Sequence, residues 1–454
     1  MSLCTRWHMP AVVACSLGLT ATVASAQQLT PEQLQQQVQS LQQQIDALKT
    51  QQDRASKEAA EKASIDRVME DANSRSMPAA MQSGSSDFTA GYKSGKFIIQ
   101  SADGAFSLNP NLQLQIRNVT NVRDTGDETI SENGFELRRA KFGFLGTAFS
   151  PDLTYEFLFE VPRNSGAVSL QDGWARYKFS PNWSVRGGQF KNPLGKEQTG
   201  SSKRLLAAER SLLNELLING DDYVQGITLG YGPKDGKLKG EFGVTDGTLQ
   251  SNTNFRDVSG TTPDTRPDFG VAGRAEYQLM GEGFKGYDDF TAMNQTTTLL
   301  VVGGGADFTQ TGGTDLVTYT LDAQFETSKG LGVFGAMIGR YTNELAATGE
   351  EANDIGFLIQ ASQMLGVTWA KAEWEVFGRY DITMLDGDRV ADPFEDDVHE
   401  ITIGVNGYFR RHASKVTFDV TYLPNGSPTT VDSAGVIASP EDQFIIRAQY
   451  QLLI

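Results

Sequence analysis

Gln443-Phe444-Ile445-Ile446-Arg447-Ala448-Gln449-Tyr450-Gln451-Leu452 places apolar and polar side chains alternately on either side of the chain. Phe444, Ile446, Ala448, Tyr450 and Leu452 share one face, and Gln443, Arg447, Gln449 and Gln451 share the other. Successive side chains of a strand point to opposite sides, so this stretch has one oily and one wet surface. The unit, about ten residues and then a turn, recurs back to about Asn111. Sixteen such segments centre on Gln115, Phe142, Phe157, Ala175, Val185, Ile227, Phe242, Ala275, Leu300, Leu321, Ala336, Ile359, Glu375, Val405, Phe418 and Ile446. An even count lets antiparallel strands close into a ring with both ends on one side of a membrane.

The links between these segments also alternate. Ser180-Pro181-Asn182, Gly232 to Gly236 and Arg411-His412-Ala413 are short, whereas Thr245 to Pro267 and Leu385 to Glu400 are long. One end therefore has tight turns and the other has loops, as in an outer-membrane barrel; a soluble sandwich needs no such asymmetry and leaves open edges. The link from Met280 to Gln295 breaks the rule, being long where a turn is expected. The predicted fold is an all-β transmembrane, 16-stranded antiparallel outer-membrane β-barrel with an N-terminal periplasmic coiled-coil helix.

The N-terminus supports export. Arg6, an apolar stretch from Met9 to Val23, and Ala24-Ser25-Ala26 have the layout of a signal peptide cleaved before Gln27. A lipoprotein site at Val12-Val13-Ala14-Cys15 is the alternative. Both cysteines, Cys4 and Cys15, lie in this leader, so signal cleavage leaves a chain without disulfides or thiolate chemistry. Residues 27–87 form a second segment, in which Leu34, Val38, Leu41, Ile45 and Leu48 follow heptad spacing in a glutamine-rich helix. This segment is either a self-associating coiled coil, most naturally trimeric, or a solvated tether ending in a joint at Ser83 to Ser86; a periplasmic or cell-wall contact is its expected use. The barrel domain occupies residues 88–454.

Phe135-Glu136-Leu137-Arg138-Arg139-Ala140-Lys141-Phe142-Gly143-Phe144 and Gly188-Gln189-Phe190-Lys191-Asn192-Pro193-Leu194-Gly195, followed by Glu209-Arg210-Ser211, resemble the phosphate-selective porin O and P family. Ile401 to Asn406 and Ile446 to Gln449 are similar to it as well, and the order holds after residue 90. The resemblance implies a homotrimeric, anion-preferring channel in the bacterial outer membrane, with a third loop folded into the lumen. The terminal Ile454 departs from the aromatic residue usual in such barrels.

Charge balance pulls the other way. The 454 residues carry 39 Lys/Arg against 56 Asp/Glu, a net of -17, which argues against a nucleic-acid partner. Residues 135–210, however, hold 12 basic against 7 acidic side chains. Alternation sends Arg117, Arg139, Lys141, Arg176, Lys178, Arg274, Arg379 and Arg447 into the lumen, because a charge facing mid-bilayer lipid costs about 2–4 kcal/mol. They are the candidate anion pathway, although luminal Glu156, Glu160, Glu276, Asp322, Glu326, Glu373, Glu375 and Asp419 offer partners that would make them wall-stiffening ion pairs instead. Arg186 is ambiguous, since both faces of its strand are mixed. Lys196, Lys203, Arg204 and Arg210 are the candidate constriction-loop cations, with Ser202 to Leu217 read as a short helix laid on the inner wall; an outer loop at the subunit rim is the alternative.

Enzyme chemistry is not expected. Beyond the leader only His399, read in an acidic outer loop, and His412, in a turn, are available as imidazole bases, and neither sits in a nucleophile–base pattern. Asp386, Asp388, Asp392, Glu395, Asp396 and Asp397 match no calcium-loop spacing, so no metal or cofactor is assigned. The expected function is passive diffusion of small anions, phosphate or polyphosphate among them. A general or cation-tolerant porin, or a barrel acting as adhesin or receptor, is the alternative.

Overall fold

The computed structural model describes residues 88–454 apart from 94–95, 125–127, 162–165, 221, 249–268, 294, 312–313 and 346–348. The leader, the helix of residues 27–87 and its joint lie outside the described residues. A hairpin of β1 (Phe88–Lys93) and β2 (Lys96–Ser101) precedes the ring. It pairs with the ring's first strand through Ile99 opposite Leu108 and Gln100 opposite Ser107.

The ring begins with β3 (Ser107–Asp124), β4 (Thr129–Ala148), β5 (Ser150–Glu160), β6 (Ser169–Lys178), β7 (Trp183–Lys191), β8 (Tyr223–Tyr231), β9 (Leu238–Thr245) and β10 (Phe269–Met280). It continues through β11 (Leu299–Thr311), β12 (Thr314–Glu326), β13 (Leu331–Thr342), β14 (Ala352–Trp369), β15 (Ala372–Met384), β16 (Asp397–Tyr408), β17 (Ser414–Leu423) and β18 (Gln443–Leu453). Each strand pairs antiparallel with the next, and β18 returns to β3 in register from Gln443 opposite Arg123 to Leu453 opposite Gln113. The seam is completed past the last strand: Ile454 and Leu112 exchange backbone hydrogen bonds of 3.1 and 2.8 Å. Closure removes the unpaired edges that lipid could not satisfy. All sixteen segments read from the sequence fall on β3–β18, and the architecture is a closed 16-stranded antiparallel barrel.

The two faces are inverted relative to a soluble protein. Ile227, Phe242 and Ile403 are more than half exposed on the outer belt, while Gln113, Gln115, Arg117, Arg139 and Lys141 are buried within. Aromatic pairs sit near the short-turn end, Trp183 with Tyr231 at 4.9 Å and Trp369 with Trp374 at 5.5 Å between centroids, as an interfacial girdle requires. The link Ala370-Lys371 is a two-residue hairpin turn, both residues left-handed (φ 53° and 65°), whose twist matches that of the flanking strands.

Two features escape simple alternation. The register of β3 and β4 shifts at Gln115/Ile116, where a bulge leaves Arg138 without an opposite residue and lets it join Arg139 in reaching inward. The long link between β10 and β11 folds into the barrel rather than hanging below it, which explains its length: Tyr287 and Phe290 are buried there. His399 belongs to β16 rather than to a loop, and its ring stacks on Tyr380.

Candidate functional site

After Lys191 the chain leaves the wall, crosses the lumen and rejoins it at Tyr223. This segment is not the single helix expected over Ser202 to Leu217. It contains a turn of helix at Lys196–Thr199, a 3-10 turn at Ser202–Arg204, and a helix confined to Leu212–Ile218. Residues 205–210 stay non-helical, because the helix is started locally: the Ser211 hydroxyl accepts from Asn214 N at 3.2 Å. Wall carboxylates take two further orphan donors, Leu212 N to Glu400 at 2.7 Å and Leu213 N to Asp381 at 3.2 Å. Asn219, left-handed at φ 64°, ends it.

The segment is glued to one side of the lumen. Leu205, Leu206, Leu213 and Leu217 are buried against Phe334, Ile338, Leu358 and Phe377, which interrupt the polar inner faces of β13–β15. Gly356 makes this contact possible, since a Cβ there would lie 2.3 Å from a Leu213 methyl carbon.

Ion pairs clamp the rest. Glu209 receives Arg117 at 3.2 Å, Arg138 at 2.7 Å and Arg139 at 2.8 Å, and its side chain is fully buried. Burial pushes the Glu209 carboxyl up, but Arg138, Arg139 and Arg117 outweigh it and hold the group well below the usual carboxylate range. Arg379 donates to Glu209 O at 3.0 Å and Arg210 O at 3.2 Å while pairing with Glu400 at 2.5 Å. Arg447 pairs with Asp419 at 2.6 Å and donates to Ala434 O at 3.0 Å. Arg210 donates to Glu197 O and Gly200 O, both at 3.0 Å. Five of the candidate pathway and constriction residues, Arg117, Arg139, Arg379, Arg447 and Arg210, are therefore luminal but sealed inside the loop's anchorage. They do not line open space, because a buried guanidinium is held by the fixed carboxylates and carbonyls it satisfies.

The opposite side is open. A cavity of about 810 Å³ is lined by Arg176, Lys178, Lys196, Lys203, Arg204, Lys239 and Arg274, together with Asp152, Glu241, Glu276 and Asp288. A second, of about 300 Å³, adds Lys141, Arg186 and Lys191 with Glu156 and Asp172, and the two share Pro193, Thr199, Ser201, Lys203 and Glu241. The two adjoining cavities make up the open passage along β4–β10, and among the described residues ten Lys/Arg line them against six Asp/Glu. Lys141, Arg176, Lys178, Arg274, Lys196, Lys203 and Arg204 are thus brought together. Arg274 is shared between roles, since it is gripped by Asp322 at 2.7 Å.

Lys239, Arg186 and Lys191 were missing from the predicted set, Lys191 donating to Gln198 O at 3.0 Å and Gly200 O at 2.9 Å. Lys239 was legible, because outward Leu238, Phe242 and Val244 turn Lys239 and Glu241 inward. Arg186 is settled only by its partner, Glu241 at 2.6 Å. Tyr287 and Asp288 carried no signal at all, lying in the link that breaks the length rule.

That link forms the passage's second wall. Tyr287 O accepts from Lys196 Nζ at 2.6 Å, Phe290 packs edge-on against Phe334 at 5.1 Å, Thr291 donates to Glu375 at 2.7 Å, and Asp289 lies 2.7 Å from His412. Burial pushes the Lys196 amine down to about 8, with Glu276 and Asp288 opposing the shift.

Residues 108–272 match the family model described as phosphate-selective porin O and P. That stretch, from β3 into β10, is similar to this porin family. The porin fold extends over the rest of the barrel. The anion-selective porin from Comamonas acidovorans is similar at a TM-score of 0.55, with 14% identity over 76% of this chain and 99% of that one. OprB of Pseudomonas putida is similar at 0.52, with 9% identity over 76% of this chain and 94% of that one. No curated protein matches the sequence. The porin lies in the bacterial outer membrane and is a channel rather than an enzyme.

Proposed function

We propose that this porin is an anion-preferring diffusion channel, with phosphate among the small anions it passes, working as a homotrimer whose residues 27–87 extend into the periplasm toward a periplasmic or cell-wall contact. The observation that carries the proposal is the local charge: ten cations against six carboxylates along the open passage, in a chain whose net charge is -17. Charges on outer loops are screened within about 8 Å at physiological salt, so those beside the permeating ion set its barrier. Some of these cations share one carboxylate. Arg176 stands 3.5 Å from Glu241 with over a third of its side chain exposed, and Glu241 is shared with Arg186. Guanidinium groups offer paired donors to phosphate oxygens, and the lysines add point charge.

Planar-bilayer recordings in a salt gradient, with phosphate titrated as a blocker of chloride current, test the proposal. Wild type gives a reversal potential on the anion side. Arg176→Gln with Lys178→Gln lowers the anion-to-cation permeability ratio by about fivefold, the equivalent of ~1 kcal/mol for the two screened charges together. A cation-side reversal potential in the wild type sinks the anion reading in favour of a cation-tolerant porin, and absence of conductance points to an adhesin or receptor.

A further inference from the structure

Two segments that enter the barrel from opposite ends meet across the open passage. Arg204 belongs to the segment between β7 and β8, and Asp288 to the link between β10 and β11. Arg204 Nη1 lies 3.6 Å from Asp288 Oδ2, with the two side chains 42% and 78% exposed. Both residues line the larger cavity. The contact contrasts with the anchorage on the far side, where Glu209, Arg139, Arg379 and Glu400 are almost without solvent access. Each partner's segment has its own hold on the wall: Gln451 donates to Lys203 O at 3.0 Å and Lys415 to Leu205 O at 2.8 Å beside Arg204, while Phe290 packs on Phe334 and Thr291 donates to Glu375 beyond Asp288. The exposed pair therefore bridges two separately anchored segments, and its breakage unfolds neither.

We propose that Arg204 and Asp288 form a labile charge latch across the passage, in which Asp288 is a specificity-determining residue that competes with the permeating anion for Arg204. A solvent-exposed pair at this separation is weak and screened by salt, so it opens and closes without a folding cost. That weakness suits a channel. A cation that holds its anion too firmly stops conduction, and a carboxylate able to reclaim the guanidinium returns the ion to solution. The latch rests on the channel reading given above, but not on the sign of its selectivity.

The test uses full-length protein in planar bilayers. Asp288→Asn leaves the barrel assembled, since the residue is exposed, and makes phosphate block chloride current at concentrations lower by about three- to fivefold. The effect shrinks at 1 M salt, where screening reaches about 3 Å. Arg204→Gln weakens block, and adding Asp288→Asn to Arg204→Gln changes nothing further. Equal effects of Asp288→Asn in the two backgrounds, or no effect in either, overturn the latch. Asp288→Cys supplies a second reading, because the chain's own cysteines, Cys4 and Cys15, precede residue 27. A cationic thiol reagent then strengthens phosphate block and an anionic one restores it; indifference to the sign of the reagent refutes the proposal. A wild type without anion preference sinks the anion reading alone, since coupling between positions 204 and 288 is still measurable in the conductance.

Discussion

Arg139 on β4 and Arg176 on β6 point into the same lumen two strands apart, and their circumstances are opposite. The Arg139 side chain is 3% exposed and fixed on Glu209, whereas Arg176 is 37% exposed along the passage. The same division holds between the barrel's two sides. Against β13–β18, β3 and the Arg139 stretch of β4 the inward loop fills the lumen with leucines and buried ion pairs; along the rest of β4 to β10 it leaves cavities lined by charge. Pointing inward is thus a necessary but not a sufficient condition for taking part in permeation, and the loop decides which arginines are structural.

The comparison breaks most sharply at Glu209. Glu209→Ala strands Arg117, Arg138 and Arg139 together in a buried site, which is expected to cost about 3–5 kcal/mol. The loss is read as a lower unfolding midpoint in detergent and as noisy or enlarged single-channel current when the loop detaches. Lowering pH acts in the same direction. Because the Glu209 carboxyl is held below its unfolded value, its stabilisation is present above the ordinary carboxylate range and is lost as pH falls through the depressed value. Unchanged midpoint and current in the variant would mean that the filled side does not depend on this hub.

Leu213→Ala, on the loop's apolar contact, is expected to cost about 2–5 kcal/mol by the same unfolding measurement, because the Leu213 side chain is fully buried on β13–β15. Lys203→Gln, on the open side, should leave that midpoint in place. Equal losses from the two substitutions would erase the distinction between anchorage and passage.

The smallest expected effect sharpens the open side. With the Lys196 amine lowered to about 8 by burial, the passage loses one positive charge as pH rises from 7 to 9. Anion preference, read from reversal potentials, falls over that interval, and Lys196→Arg removes the dependence. Since the folded value lies below the unfolded one, the unfolded chain binds more protons between about 8 and the ordinary lysine range of ~10.4, and barrel stability rises with pH there.

Much of this molecule was legible in the chain. The outward belt and the inward placement of Arg117, Arg139, Arg176 and Arg447 follow from a period of two, and lipid enforces that period along every strand. Arg138 escapes such a reading because a bulge suspends the period for one residue. The helix over residues 202–217 shrank to Leu212–Ile218 because its start depends on Glu400 and Asp381, carboxylates far along the chain. Tyr287 and Asp288 were invisible because nothing local distinguishes a long turn that folds inward from one that does not.

By itself the sequence determined a closed barrel, its oily and wet faces and a surplus of cations in residues 135–210, since alternation and composition are local and are imposed strand by strand. Only the tertiary structure decided which wall the loop covers and which cations remain in water. Those outcomes rest on contacts such as Glu209 with Arg139 or its carbonyl with Arg379, separated by 70 and 170 positions. The strength of a charge depends on what surrounds it in space, and no periodicity along the chain records that.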